Sequence, residues 1–439
     1  MKKVDILFLY ETRVRELENI CLIKHELENR GYSVAVMNTW NNLGIKKPPY
    51  KAKVVVTHAM YHDGIYGFVK NFCGDVPKIV NMQCEQIGVF KNDVEDNIYF
   101  LKGIAKESVN ICWGERTAKR LRERCGIDDD HIAITGQVTL DFCREELRDY
   151  YLSREEIANK YNLPKNCNLN LFISSFSYVN LPEAILKSYG KENREFIDFS
   201  RSSFDGVLSW FQKIMDEYPC EAIIYRPHPA EADNERLKEL CEKYKGRFFV
   251  ISELSVKQWI AVSDKVYTWY STASAEAYMF GAPVAVLRPV QLSHDREVTI
   301  FENASFVTTY EEFENTIKNG IVSSLDDEVM KYHYSIEPTM SYIRVADTIE
   351  RVLKDDKYLI KNPPLQPKVS FIGKIKSAVY NTICSFANIL PKNIYFLDKF
   401  RKEEKTPDEY TLKLQKNNYA SEKDIEEIQA KIVAALKVK

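Results

Sequence analysis

Residues 222–231 read Ala-Ile-Ile-Tyr-Arg-Pro-His-Pro-Ala-Glu, and residues 266–276 read Val-Tyr-Thr-Trp-Tyr-Ser-Thr-Ala-Ser-Ala-Glu. Each stretch begins as a short apolar run, typical of a buried strand, and continues into a polar turn. The carboxyl ends of parallel strands meet at one edge of a sheet, where α/β folds bind ligands. The first turn supplies a cation and an imidazole, and the second supplies hydroxyls before a predicted helix. Together these groups suit a phosphate.

The same alternation of apolar runs and helical patterns continues outward from these stretches. A strand over 4–10, a helix over 17–30 and a strand over 32–37 predict one βαβ unit. Further strands are predicted at 53–57, 78–82, 110–112, 131–135, 168–174, 222–225, 248–251, 265–268 and 284–287. The pattern predicts an α/β fold class with two Rossmann-like doubly wound domains facing a cleft.

The length of 439 residues exceeds what one core organises, so several units are expected. We place an N-terminal Rossmann-like domain at 1–150 and a C-terminal one at 166–362. A charged linker and a terminal helix follow at 403–439, with no partner identified for that helix.

Residues 369–402 form a separate basic segment with apolar residues at three- and four-residue steps. Six basic residues stand against the single Asp398, namely Lys374, Lys376, Lys392, Lys399, Arg401 and Lys402. A basic amphipathic helix of this kind can lie at a membrane surface. Docking onto the domains, or an oligomer contact, is the alternative.

Composition narrows the class of protein. The net charge of -2 gives no field that attracts nucleic acid. The ten cysteines are scattered without a CxxC pair, which favours a reducing cytoplasm over a disulfide scaffold. Residues 1–10 lack the pattern of a signal peptide, and no apolar window is long enough to span a bilayer. We expect a cytoplasmic protein, with peripheral contact at the inner face of the membrane as an option.

His228 is the leading candidate for phosphate binding. It lies between two prolines, which exclude helix and hold the imidazole on an extended turn directly after a strand. Arg226, two residues earlier, is predicted to contact the same phosphate, with an ion pair to Glu231 as its structural alternative.

The hydroxyl cluster Ser271, Thr272 and Ser274 precedes a predicted helix over 274–280. Helix capping is the simpler role of such residues, but the same N-terminus can bind a phosphate. Glu276 follows in the first turn, where it can accept a hydrogen bond from a ribose hydroxyl or simply complement the helix dipole.

Glu85 follows a strand of the first domain and is the candidate general base for an acceptor hydroxyl. Residues 61–64, Tyr-His-Asp-Gly, are a second candidate at another strand end. Ser174 and Ser175 follow the first strand of the second domain and are candidates for phosphate contact or plain turn capping.

Several motifs are absent from the sequence. It contains neither GxxxxGK[ST] nor a GxGxxG after the first strand, and no HExxH or GxSxG. Residues 128–130, three consecutive aspartates, are interpreted as a solvated turn rather than a metal site. We therefore expect no metal and no cofactor beyond a nucleotide co-substrate.

Taken together, these residues resemble the GT-B glycosyltransferases of bacterial surface-carbohydrate assembly, which build capsule and lipopolysaccharide. The resemblance is to members with a His-Pro motif and a Ser/Thr-pair motif, such as sialyl-, polysialyl- and Kdo transferases. Polymerases that use CDP-glycerol share the Arg-Pro-His-Pro feature. Here the motifs lie at 225–231 and 271–276, and 171–177 resembles the opening of the family's nucleotide domain. The resemblance covers roughly residues 1–360 and is specific only within 168–290.

The resemblance implies that 1–150 faces the acceptor and that 166–362 binds the nucleotide sugar. His228, Ser271 and Thr272 would then hold the donor phosphate. The acidic motif of the family corresponds to 84–88, Cys-Glu-Gln-Ile-Gly, which keeps one acid, Glu85. It also implies metal-independent transfer from a donor such as a CMP-activated nonulosonic acid or Kdo to a glycan or lipid-linked acceptor.

Two other classes of function stay open. One is a GT-B enzyme with different chemistry, either a CDP-polyol phosphotransferase or a nucleotide-sugar 2-epimerase. The other is an inactive scaffold of a glycan-assembly complex.

Overall fold

The computed structural model describes residues 1–39, 49–74, 76–91, 100–180, 191–361, 363 and 418–437. These residues form two parallel six-stranded sheets with helices on their faces, which confirms the predicted α/β class and its two doubly wound sheets. The basic segment predicted at 369–402 lies outside the described residues. Within the described ranges, no helix combines the length and the apolar character needed to cross a bilayer.

The first sheet has the strand order β2-β1-β3-β4-β5-β6. Its strands are β1 (Lys2–Tyr10), β2 (Val34–Asn38), β3 (Tyr50–Thr57), β4 (Ile79–Asn81), β5 (Val109–Cys112) and β6 (Ile132–Ile134). Along β1, Ile6 and Phe8 enter one core while Leu7 and Leu9 enter the core on the opposite face. A strand covered on both faces is apolar at successive positions, which is why the sequence shows a continuous apolar run over 6–10.

The second sheet has the order β12-β11-β10-β7-β8-β9. Its strands are β7 (Asn168–Ile173), β8 (Glu221–Arg226), β9 (Phe248–Val250), β10 (Lys265–Thr268), β11 (Val284–Leu287) and β12 (Phe306–Val307). Counted from β7, this is the doubly wound order that reverses direction between β7 and β10. The reversal opens a crevice at the carboxyl ends of those two strands.

Thirteen α-helices are found among the described residues. They are α1 (Glu18–Asn29), α2 (Asp63–Cys73), α3 (Glu115–Arg120), α4 (Val138–Asp141), α5 (Arg154–Tyr161), α6 (Lys191–Glu217), α7 (Glu235–Lys243), α8 (Val256–Ile260), α9 (Ser274–Met279), α10 (Tyr310–Asn319), α11 (Asp327–His333), α12 (Ser341–Lys354) and α13 (Glu422–Lys437). A π-helical turn, Arg13–Leu17, connects β1 to α1.

Two late helices pack on the first sheet. Val345 and Ile349 of α12 are fully buried in the same core as Ile6 and Phe8. Helix α13 confirms the predicted terminal helix and identifies its partner, because Ile432 is fully buried in this core too. The strands of the first sheet lie within 1–150 and those of the second sheet lie within 166–362. The division of the chain into these two domains stays a prediction.

Two contacts join elements of the first sheet's side to elements of the second sheet's side. Val89 forms an antiparallel bridge with Val298, and Lys257 of α8 is 3.1 Å from Glu18 of α1. The buried Asp141 of α4 accepts hydrogen bonds from the backbone N–H groups of Ser341 and Tyr342, at 2.9 and 2.7 Å. The first two contacts link the two sides of the cleft, and the third holds the start of α12.

Candidate active site in the cleft

A cavity of about 610 Å³ lies between the carboxyl ends of the two sheets. Four of the predicted site residues line it, namely Glu85, His228, Thr272 and Glu276. Other lining residues that the sequence did not single out include Arg15, Glu16, His58 and Lys257. We call the side formed by the first sheet the acceptor wall and the side formed by the second sheet the donor wall, after the roles that the sequence predicts for them.

His228 stands exposed on the turn after β8. Its Nδ1 accepts hydrogen bonds from the backbone N–H of Ala230 at 3.1 Å and from the Ser177 hydroxyl at 3.0 Å. Desolvation lowers the pKa of His228, so the ring is neutral at pH 7. A neutral ring with an accepting Nδ1 carries its proton on Nε2, which is then the donor available to a ligand.

Glu231 holds this turn in place. Its carboxylate accepts hydrogen bonds from the Tyr225 hydroxyl, from the Ser174 hydroxyl at 2.7 Å and from the backbone N–H of His228 at 3.1 Å. Burial raises the pKa of Glu231, and these hydrogen bonds oppose that shift. Ser174 therefore supports the His228 turn from behind and is not among the residues that line the cavity.

Arg226 is not among the residues that line the cavity. Its guanidinium donates to the carbonyls of Ile251 at 3.3 Å, Glu253 at 2.8 Å and Leu254. The ion pair with Glu231, the structural alternative, does not form either. The reason is that β8 ends at Arg226, so alternation along the strand no longer relates Arg226 to His228.

The three hydroxyl residues after β10 have different surroundings: one lines the cavity, one caps its own turn and one is buried. Thr272 is exposed and lines the cavity. Ser271 accepts a hydrogen bond from the Ala273 N–H at 3.2 Å, which is the turn-capping role. Ser274 is fully buried, and its hydroxyl has no partner among the described residues. Helix α9 spans six residues, one fewer than the helix predicted over 274–280.

Glu276 and Lys257 place opposite charges on the donor wall. Burial raises the pKa of Glu276, and the Lys257 ammonium opposes that shift. Lys257 itself is 5% exposed and its ammonium lies 4.6 Å from the centre of the Phe142 ring. The donor wall therefore combines an imidazole, a hydroxyl, a carboxyl whose pKa is raised by burial, and a buried ammonium.

The acceptor wall is an ion-paired cluster. Arg15 pairs with Glu85 and, at 3.0 Å, with Glu16. The side chain of Glu85 is 49% exposed, whereas that of Glu16 is 3% exposed. Burial raises the pKa of Glu16, and Arg15 opposes the shift. Glu85 is thus the carboxylate of this cluster that an incoming hydroxyl can reach.

His58 is a second titratable group on the acceptor wall. It follows β3 directly, and burial lowers the pKa of its imidazole. Its Nδ1 has no hydrogen-bond partner among the described residues. A polar residue immediately after an apolar strand is the same signal that singled out His228, so the sequence did contain the information needed to find it.

The remaining candidates do not line the cavity. His62 accepts from the Gly64 N–H at 3.1 Å, and Asp63 accepts from the Ile104 N–H at 2.8 Å. The Ser175 hydroxyl is buried without a described partner and does not line the cavity. Asp129 pairs with Arg122 at 2.6 Å. In the part of the chain that the structure describes, no cluster of three or more His, Cys, Asp or Glu residues can hold a metal ion.

Comparison with known proteins identifies the fold alone. No protein-family model matches the chain, and no curated protein matches it. Among solved structures, a variant of the wall teichoic acid polymerase TagF soaked with CDPG matches with a TM-score of 0.50 and 12% identity, over 80% of this chain and 89% of that chain. This match establishes a GT-B fold.

Two structures with bound nucleotide show weaker likeness. S. aureus MnaA with UDP has 19% identity and a TM-score of 0.47, over 84% of this chain and 100% of that chain. The UDP-GlcNAc 2-epimerase of Methanocaldococcus jannaschii, in complex with UDP-GlcNAc and UDP, has 14% identity and a TM-score of 0.39, over 86% and 99% of the two chains.

Proposed function

We propose that this protein is a GT-B glycosyltransferase. It transfers a sugar from a nucleotide donor, such as a CMP-activated nonulosonic acid or Kdo, to a glycan or lipid-linked acceptor of surface polysaccharide. The donor phosphate binds at His228 and Thr272, with Glu276 toward the ribose. Glu85 takes the proton of the acceptor hydroxyl, and no metal ion takes part.

One observation carries the proposal. The same cavity has the Nε2 donor of His228 on one wall and the accessible carboxylate of Glu85 on the other. A hydrogen-bond donor stabilises negative charge developing on the leaving phosphate, while a carboxylate on the opposite side removes a proton. Transfer between two substrates held on facing walls needs this arrangement.

Nucleotide release tests this function. The full chain is incubated with CMP-, CDP-, UDP- and GDP-sugars, with and without an oligosaccharide acceptor, in the presence of EDTA. The expected result is acceptor-dependent release of one nucleotide and loss of that release in His228→Ala. Turnover that needs an added divalent ion would remove the metal-independent mechanism.

Product analysis of the same incubations separates the alternatives. An epimerase converts the nucleotide sugar without any acceptor, and a polyol phosphotransferase releases CMP from a CDP-polyol while the phosphate enters the product. A scaffold releases no nucleotide, and His228→Ala leaves its assembly function intact. TagF shares the fold of this chain, which is why CDP-glycerol belongs among the donors tested.

We also propose that the basic segment 369–402 contacts an anionic membrane surface, which would bring the protein to a lipid-linked acceptor. Deletion to the C-terminus is not a clean test, because it removes Ile432 from the core of the first sheet. Replacing Lys374, Lys376, Lys392 and Lys399 with Gln keeps α13. Co-sedimentation with phosphatidylglycerol vesicles should then fall, and unchanged co-sedimentation would contradict the membrane contact.

A further inference from the structure

The segment that precedes and begins α13 contacts the end of β1. The carbonyl oxygen of Asn418 accepts hydrogen bonds from the Tyr10 hydroxyl at 3.2 Å and from the Asn38 side-chain amide at 3.0 Å. Asn418 is 7% exposed, and its side-chain oxygen accepts from the Arg13 backbone N–H at 3.0 Å. Asn418, more than four hundred positions further along the chain than Arg13, therefore holds the start of the turn Arg13–Leu17. We call this turn the cleft loop.

The Arg13 side chain completes this contact. Its guanidinium donates to the carbonyl of Tyr419 at 3.0 Å and to the Asp424 carboxylate at 2.7 Å. Arg13 is also the first residue of the π-helical turn that carries Arg15 and Glu16 into the cavity. The anchored residue and the cavity-lining cation are thus two positions apart.

Helix α13 gives the contact a rigid support. Ile432 and Ala435 are 0% and 3% exposed in the core of the first sheet. Farther along, Gln429 exchanges hydrogen bonds with Lys24 and Glu28 of α1, both at 3.1 Å. The helix is therefore docked by contacts that do not involve the cleft loop at all, and Asn418 and Asp424 are additional to that docking.

We propose that Asn418 and Asp424 are positioning residues for the acceptor wall. They fix Arg13, and Arg13 fixes the turn that sets Arg15 against Glu85. Without the contact, the turn gains backbone freedom, and the carboxylate that faces the acceptor loses its defined place. A catalytic group displaced by a small distance loses much of its effect on the reaction rate.

Amide hydrogen exchange tests the inference without any substrate. In Asn418→Ala, the exchange of amides 14–17 should accelerate at least about tenfold, because the Arg13 N–H loses its acceptor. Asn418→Asp keeps an acceptor oxygen and should exchange like the parent chain. Gln429→Ala is the matched control, since it loses two hydrogen bonds of the same helix that do not reach the cleft loop.

Two exchange results would overturn the proposal. One is unchanged exchange of amides 14–17 in Asn418→Ala. The other is equal acceleration in Gln429→Ala, which would mean that the loop responds to any loosening of α13.

An activity measurement extends the test and rests on the proposed function. In Asn418→Ala, kcat/KM for the acceptor should fall about tenfold, while KM for the nucleotide donor stays within a factor of two of the parent value. An equally large change in KM for the nucleotide donor would contradict a role confined to the acceptor wall. If the parent chain shows no transfer, the proposed function fails, and the exchange result still decides the positioning role.

Discussion

The two walls of the cleft are built on different principles. The donor wall presents His228 on a turn whose own hydrogen bonds lie behind it, so that Nε2 faces outward without a competing partner among the described residues. The acceptor wall uses charges that are already paired, with Arg15 between Glu16 and Glu85. In the proposed function, the donor wall therefore offers a hydrogen-bond donor to an anion, whereas the acceptor wall holds the Glu85 carboxylate through a cation.

The two walls therefore differ in the interactions that a bound group has to displace. A phosphate that approaches His228 replaces water and breaks no ion pair of the protein. An acceptor hydroxyl must reach Glu85 while Arg15 stays close, and the placement of Arg15 depends on the loop anchored by Arg13. We expect variants of the donor wall to change nucleotide affinity and variants of the acceptor wall to change turnover.

The largest effect is expected from Glu85→Gln. The amide keeps the shape of the side chain but cannot take a proton, so kcat should fall about 100-fold or more. Nucleotide affinity, measured by titration calorimetry, should stay unchanged. His58→Asn is the matched control on the same wall, and a large loss in His58→Asn with little loss in Glu85→Gln would transfer the role of base to His58.

The next effect concerns Lys257, the cation of the donor wall that is tied to Glu18 on the acceptor side. Lys257→Met leaves the Glu18 carboxylate without its cation, with the Tyr150 hydroxyl as its remaining donor at 2.9 Å, and should lower the free energy of unfolding by about 3 kcal/mol. Adding Glu18→Gln should restore part of the loss in urea unfolding. A single variant as stable as the parent would show that this pair does not join the walls.

A third prediction concerns the buried Asp141, which holds the start of α12. Burial raises the pKa of Asp141 from 3.8 to about 6. The folded protein therefore binds this proton more tightly than the unfolded chain. The stability from that proton is complete below about pH 4 and is lost as the pH rises through 6, by roughly 3 kcal/mol at most.

Urea unfolding between pH 4 and pH 7, compared with Asp141→Asn, isolates this contribution. The stability advantage of the parent over the variant should shrink as the pH rises and level off above pH 7. An advantage that grows with pH would mean that the two N–H donors of α12 outweigh burial.

The smallest effect is expected from Thr272→Ala. One hydrogen bond to the donor phosphate is lost, so the dissociation constant of the nucleotide should rise about tenfold. Ser271→Ala is the control, because Ser271 bonds its own turn and does not line the cavity. Equal losses in both variants would point to a disturbed turn rather than a lost contact.

The sequence predicted the fold well because each strand is short, apolar and bounded by polar residues. The strands at 265–268 and 284–287 were predicted at their observed limits. The two-residue strand β12 and the first half of α6 were missed, since so short a strand has no periodicity and α6 is polar near its start.

The site was harder to predict, because side-chain direction depends on where a strand ends. Position alone indicated that Arg226 and His228 share a face, but the turn after β8 separates them. Pairing across the chain was also invisible, so Arg15 beside Glu85 and Asn418 beside Arg13 were both missed. His58 was the exception, since it shows the same strand-end signal as His228.

A crystal structure of the full chain with the bound nucleotide tests the central claim most directly. The account predicts a phosphate oxygen within hydrogen-bond distance of His228 Nε2, beside Thr272, with the ribose toward Glu276. A nucleotide bound outside this cavity, or one held with His228 turned away from the phosphate, would contradict it.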